Sequence, residues 1–279
     1  MELVPFKKFA IAEPNNVDRF TFSNTLIGYG LRDYLTLYVL FPFAIKEQDG
    51  LGKSSGMGDP EIFLHYGFKY GAREGFKGWY PFNQDDVAGE EYTQTDWKFG
   101  LHASTTIPFG KISNRDNNGD TFPMGMQPGF AGPSYNFTAI VSRMIAPHLT
   151  FNIDTALRAF TLAPGVNGGK PGNEWRVNGA MTYEVLEGKD TFLSRVDLIG
   201  EANFLNLKKD MDSERIPNDA TGGSMLYLSP GLRLTFYNKA SLGLLFKKAI
   251  WKDLNNEDQQ QGAEGLEKYR AVATFSLSY

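Results

Sequence analysis

Apolar and polar residues alternate with a period of two along almost the whole chain, and helical periodicity is scarce. From 149 to 160, Leu149, Phe151, Ile153, Leu157 and Ala159 fall on one face, and Thr150, Asn152, Asp154 and Arg158 on the other. From 175 to 185, Trp175, Val177, Met181, Tyr183 and Val185 oppose Arg176, Asn178, Thr182 and Glu184. Such alternation predicts strands whose two faces meet different surroundings. About twelve runs show it, near 3–12, 19–30, 33–46, 58–71, 95–108, 132–145, 148–161, 174–187, 190–206, 223–237, 240–252 and 267–279. Strands of soluble proteins are usually about 5–6 residues. These runs are about twice that length, which suits a strand tilted across a bilayer.

The connections alternate too. Short turns fall at Arg32-Asp33, Ala146-Pro147, Glu187-Gly188-Lys189 and Asn238-Lys239. Longer, polar, Gly-rich loops fall near 47–57, 109–131, 162–173, 207–222 and 253–266. Short turns at one end and long loops at the other are the layout of a transmembrane barrel, whose termini then lie on the short-turn side. Residues 72–94 break the rule, running to over twenty residues on the short side, and read either as an inserted loop within one barrel domain spanning 1–279 or as a failure of the strand parity there. The expected fold is therefore all-β: a transmembrane antiparallel up-and-down β-barrel of about twelve strands. Only a helix or a closed barrel satisfies its backbone in lipid.

Composition narrows the alternatives. The 279 residues include 14% aromatic and 22% charged residues, with a net charge of −4 and no cysteine. Disordered chains are poor in aromatics. The absence of cysteine excludes disulfide frameworks, Cys-based zinc sites and thiol nucleophiles. Such a charge balance does not suit a nucleic-acid binder. No apolar run approaches the roughly 18 residues of a membrane helix. Met1 to Lys8 shows no apolar leader after its charges, so the numbering is expected to start on a processed or partial chain.

Four short motifs then stand in order. Gly56-Met57-Gly58-Asp59 leads into Ile62-Phe63-Leu64-His65-Tyr66, and Ile107-Pro108-Phe109-Gly110 ends a later strand. Leu228-Ser229-Pro230-Gly231-Leu232 lies in a third, and the chain closes on Phe275-Ser276-Leu277-Ser278-Tyr279. From about residue 19 onward this series resembles the bacterial outer-membrane "transporter" family named for the meta-pathway of phenol degradation. The resemblance implies an outer-membrane barrel linked to uptake of aromatic or other apolar compounds. The 72–94 segment and the missing leader depart from the family pattern. The closing aromatic residue also resembles the insertion signal of outer-membrane barrels.

The polar face of a barrel lines its lumen. Projecting the alternation places Glu61, His65, Lys69, Lys98, His102, Asp154, Arg158, Arg176, Glu184, Arg195, Asp197, Glu201, Arg233, Lys247 and Arg270 there as expected pore-lining residues. Trp97, Trp175, Trp251, Tyr66, Tyr70, Tyr135, Tyr183, Tyr269 and Tyr279 read as interfacial girdles. Tyr38, Phe63 and Tyr227 are candidates for an inward aromatic track. Asp116-Asn117-Asn118-Gly119-Asp120 spaces oxygens like the start of a calcium loop, yet position twelve is Gln127, so a plain polar turn is expected. Asp85, Asp86, Glu90 and Glu91 beside Trp79, Tyr80 and Phe82 read as a solvated loop, with a partner-docking or plug segment as the alternative. His102 and Ser104 share a face, but no acidic orienter stands near them. No phosphate loop, dinucleotide fingerprint or metal-ligand spacing is present.

The expectation is a bacterial outer-membrane channel for passive diffusion of small molecules, with the bilayer and its solutes as partners and no catalytic residue, metal or cofactor. Two alternatives stand beside it: a filled structural barrel that docks a partner through its loops, and a barrel-borne hydrolase.

Overall fold

The computed structural model describes residues 1–5, 19–72, 74–79, 96–161, 169–188, 191–260 and 263–277. Its strands are β1 (Glu2–Pro5), β2 (Arg19–Arg32), β3 (Leu35–Gln48), β4 (Gly52–Met57), β5 (Glu61–Gly71), β6 (Gly75–Trp79), β7 (Asp96–Thr106), β8 (Ser134–Ala146), β9 (Leu149–Phe160), β10 (Glu174–Glu187), β11 (Leu193–Leu207), β12 (Gly223–Phe236), β13 (Ala240–Leu254) and β14 (Arg270–Leu277). Among the described residues a short helix, α1 (Ala263–Leu266), precedes β14, and a single 3-10 turn spans Met124–Met126.

Every strand pairs antiparallel with its neighbours, and the pairings return to their start. β1 joins β14 to β2, with Glu2 opposite both Val272 and Phe22. β3 pairs along one edge with β4 at its upper half, Phe43 opposite Met57, and with β5 at its lower half, Leu40 opposite Glu61. The two registers differ by one residue, so β4 and β5 form a single column interrupted at Gly58-Asp59-Pro60. β6 covers the part of β5 that extends past the β2–β3 turn, pairing with Phe68 to Gly71. The ring thus has twelve columns, a closed up-and-down β-barrel.

The outcome differs from the sequence reading at the loops. Residues 47–57, expected as a long loop, are mostly strand, because β3 runs to Gln48 and β4 starts at Gly52. The 72–94 segment opens with β6, while Tyr80, Phe82, Asp85, Asp86, Glu90 and Glu91 lie outside the described residues. Of the first run, Glu2–Pro5 is described as strand. Tyr279 also lies outside the described residues.

Burial is inverted relative to a soluble protein. On β10, Trp175, Met181, Tyr183 and Val185 are 45–55% exposed, while Thr182 between them is 9% exposed. On β11 and β12, Leu198 and Leu228 stand outside, and Asp197 and Ser229 are fully buried. Apolar side chains cover the outside of the ring and polar ones fill its inside. Trp175, Trp251, Tyr70, Tyr135, Tyr183 and Tyr269 are all exposed among the outward residues.

Two of the sequence motifs meet in space. The loop 107–131 folds back over the upper end of β3 and β4, where Asp59 accepts hydrogen bonds from the backbone N–H of Gly110 (2.8 Å) and of Phe130 (2.7 Å). Lys111 N–H donates to the Met57 carbonyl, and Gly129 N–H to the Lys111 carbonyl. Gly110 and Gly129 permit this approach: a Cβ on Gly110 would lie 2.7 Å from the Gly129 Cα and from the Gly58 carbonyl carbon. Gly110→Ala is expected to destabilise the barrel by about 1–3 kcal/mol through overpacking. Urea titration in detergent micelles measures it, and an unchanged midpoint would contradict the packing.

Candidate functional site

Of the fifteen charged or histidine residues projected from the alternation, Glu61, His65, Lys98, Arg195 and Asp197 are buried. Near the mouth formed by the long loops, Arg158 on β9 reaches along the inner face to Glu61 on β5, with Nη2 at 2.8 and 3.0 Å from the two carboxylate oxygens. β7 and β8 separate those strands in the sheet, so this pair spans the inner wall over two intervening strands. Ser104 donates to the same carboxylate. Arg176 pairs with Glu174 two residues away on the same face, at 2.7 Å. Arg270 holds Glu267 at 2.8 Å and Glu2 at 3.0 Å.

Midway down, Asp154 accepts a hydrogen bond from Asn178 at 2.8 Å. Glu201 faces Asn203 on its own strand. The Lys247 ammonium sits 4.3 Å from the centre of the Tyr227 ring. His65 and His102 stand opposite one another on β5 and β7 with ring centres 4.0 Å apart. Lys69 and Lys98 face each other four residues nearer the short turns.

At the short-turn end the ions form a chain. His148 Nδ1 lies 2.9 Å from Glu184, whose other oxygen lies 3.3 Å from Arg195. Arg195 is 2.6 Å from Asp197, and Asp197 is 2.8 Å from Arg233. Asp197 is fully buried between its two guanidiniums. Same-strand pairs such as Arg195 and Asp197 follow from a pleat that returns every second side chain to one face.

The aromatic track divides. Tyr38 and Phe63 stack at 5.0 Å inside the ring, and Phe63 in turn stacks on His102. Gly28 lies opposite Tyr38, and a Cβ there would fall 2.5 Å from the tyrosine ring, so the glycine gives the ring its place. Tyr227 does not join them. It packs at 1% exposure with Met225 and Leu205, its hydroxyl directed at the Glu264 carbonyl, in a cluster beneath the loop that carries α1. Parity gave its side of the wall but not the loop above it.

Two loops close over the mouth. Phe122 and Met126 of the 107–131 loop meet Phe20 of β2 and Leu266 of α1 in one buried cluster. Each loop is held by a lysine from the wall. Lys46 donates to the carbonyls of Gly125 and Gln127, both at 2.8 Å. Lys252 donates to those of Gly265 and Glu267. Lys46 shares its inner parity with Ala44, yet no local pattern signals its acceptors, which come from a loop about eighty residues away. The calcium-like segment is a polar turn: Asp116 accepts from the N–H of Asn118 and Asp120, and Gln127 is fully buried with its amide bonded to Asn114 and Phe122. Between the loops lies a cavity of about 1750 Å³, reached by Glu61, Arg158, Lys46 and Arg270. His102 and Ser104 do not act together: the Ser104 hydroxyl is given to Glu61, and His102 Nε2 has no hydrogen-bond partner among the described residues.

Breaking a buried ion pair from one side leaves a charge without compensation and costs about 3–5 kcal/mol. Asp197→Ala is expected to lower stability by that amount, and Asp154→Ala by about 1–3 kcal/mol for one lost hydrogen-bond acceptor. Chemical denaturation in micelles orders the two, and the reverse order would contradict the network. Glu264, in the mouth loop, has its carboxyl pushed up by burial and by the neighbouring Glu174. A native state that holds this proton more firmly than the unfolded chain loses stability as pH rises through the raised value. Glu264→Gln is therefore expected to raise the melting temperature at neutral pH, and the gain should vanish below the ordinary carboxylate range. An equal gain at both pH values would contradict the assignment.

No family model matches the chain, and no curated protein matches it. Among solved structures it is similar to the COG4313 outer membrane channel from Pseudomonas putida F1, with a TM-score of 0.64 at 13% identity over 98% of this chain and 92% of that one. It is also similar to the NanC porin, with a TM-score of 0.48 at 8% identity over 100% of this chain and 98% of that one. The first of these likenesses extends over nearly the whole ring, and the fold it shares with this chain is a β-barrel.

Proposed function

We propose that this chain is a channel of the bacterial outer membrane that passes small molecules by diffusion, without energy coupling, cofactor or catalytic step. The observation that carries the reading is the inversion of the barrel: apolar side chains face outward around the ring, and ion pairs and hydroxyls face inward. A lipid-exposed wall requires the first, and a water-filled lumen is served by the second. The similar Pseudomonas putida protein is itself an outer membrane channel. The sequence motifs add the meta-pathway family, and with it a preference for apolar or aromatic solutes. Tyr38 and Phe63 offer a stacking surface suited to such a solute. The fifteen inward residues line the path, and residues 1–279 act as one barrel unit. Because most of the arginines have acidic partners, the lumen carries little net field and weak charge selectivity.

A second reading draws on the mouth. Phe122, Met126 and Leu266 meet across it, as they would in a filled barrel whose loops dock a partner.

Conductance of the refolded chain in a planar bilayer separates the two. Discrete steps with a reversal potential near zero in a salt gradient are expected for the channel. Arg158→Ala leaves Glu61 unpaired and is expected to shift the reversal potential toward cation preference, and Arg195→Ala to do likewise through Glu184. Silence from a folded barrel would favour the filled one, and currents unchanged by both substitutions would remove these arginines from the path.

A further inference from the structure

We infer a divalent transition-metal site at the short-turn rim, formed by His148, Glu184 and Glu187. Among the described residues, their ligand atoms all lie within 4.8 Å of one another. The sequence shows no metal-ligand spacing, since His148 is 36 residues from Glu184.

Two backbone irregularities bring the group together. Residues 184 and 187 are an odd number apart, so a regular strand would send them to opposite faces. A β-bulge between Glu184 and Leu186 shifts the register, setting Glu184 opposite Asp197 and Glu187 opposite Arg195. Both carboxylates are then turned toward one side, as bulges re-aim side chains. His148 occupies the β8–β9 turn with φ at 63°, a left-handed conformation that non-glycine residues adopt rarely. Its carbonyl accepts the Glu184 N–H at 2.8 Å, which fixes the turn against β10.

One imidazole and two carboxylates suit a first-row divalent ion with an open fourth position, for which Zn²⁺ is the natural probe. Metal–ligand bonds of about 2.0–2.2 Å place tetrahedral ligands about 3.3 Å apart. His148 Nδ1 and the nearer Glu184 oxygen are already 2.9 Å apart, and the metal takes the place of the proton they share. His148 and Glu187 are exposed and free to adjust, while Glu184 is largely buried and supplies the fixed ligand. The other Glu184 oxygen faces Arg195, which orients it from behind. The charges favour a cation, because Glu184, Glu187 and Asp197 give three carboxylates against the two guanidiniums of Arg195 and Arg233.

The test is calorimetric titration of Zn²⁺ into the refolded full chain in micelles, paired with melting curves. The expected result is one Zn²⁺ per chain, with a melting temperature that rises with zinc concentration. Glu187→Gln, at an exposed rim position, and His148→Asn, which tolerates the left-handed backbone, should each weaken binding about tenfold or more. Replacing the other two histidines, His65→Asn with His102→Asn, should leave it unchanged. Absence of binding, binding indifferent to both rim substitutions, or binding lost with the lumen pair would each overturn the site.

Discussion

Backbone closure is the constraint on which everything else in this molecule rests. A sheet surrounded by hydrocarbon has no water to satisfy an open edge, so its hydrogen bonds must return to their start. Closure explains features that are otherwise arbitrary. β1 is four residues long, yet its register with both Val272 and Phe22 joins the first and last parts of the chain. β4 and β5 share one edge of β3 because a single column must cover it, and the step at Gly58-Asp59-Pro60 absorbs the one-residue mismatch between them.

Closure also sets the electrostatics. Curling the sheet brings the polar faces of opposite strands toward each other, and charges leaving water must find partners. They do so at three ranges. Arg195 and Asp197 are two residues apart on one strand, Asp197 and Arg233 are neighbours across strands, and Arg158 and Glu61 meet over two intervening strands. The two mouth loops are tied down differently. Lys46 and Lys252 each place one ammonium against two loop carbonyls, which satisfies the lysine and the backbone together.

What was legible in the sequence is what a period of two encodes. Trp175 and Arg176 take opposite sides because successive side chains on a strand must, and the twelve columns of the ring match the number of alternating runs. Contacts made by loops were not legible. Nothing near Tyr227 reveals that α1 lies over it, and nothing near Gln127 reveals that its amide is bonded back to Asn114. Residues 52–57 read as loop because their small and polar residues carry no apolar alternation, yet β3 supplies an edge and they pair with it. The bulge at Glu184 was equally hidden, since a register shift depends on the partner strand as much as on its own residues.

The most direct measurement uses the absence of cysteine in the chain. Single cysteines placed one at a time from 175 to 185 on β10 can carry a spin label, and collisions with oxygen or with an aqueous nickel chelate report lipid or water at each position. Alternation is expected in the reconstituted protein: positions 175, 177, 181, 183 and 185 favour oxygen, and positions 176, 178, 182 and 184 favour the chelate. Labels at the outward positions colliding with the chelate as often as the inward ones would contradict a wall that faces lipid.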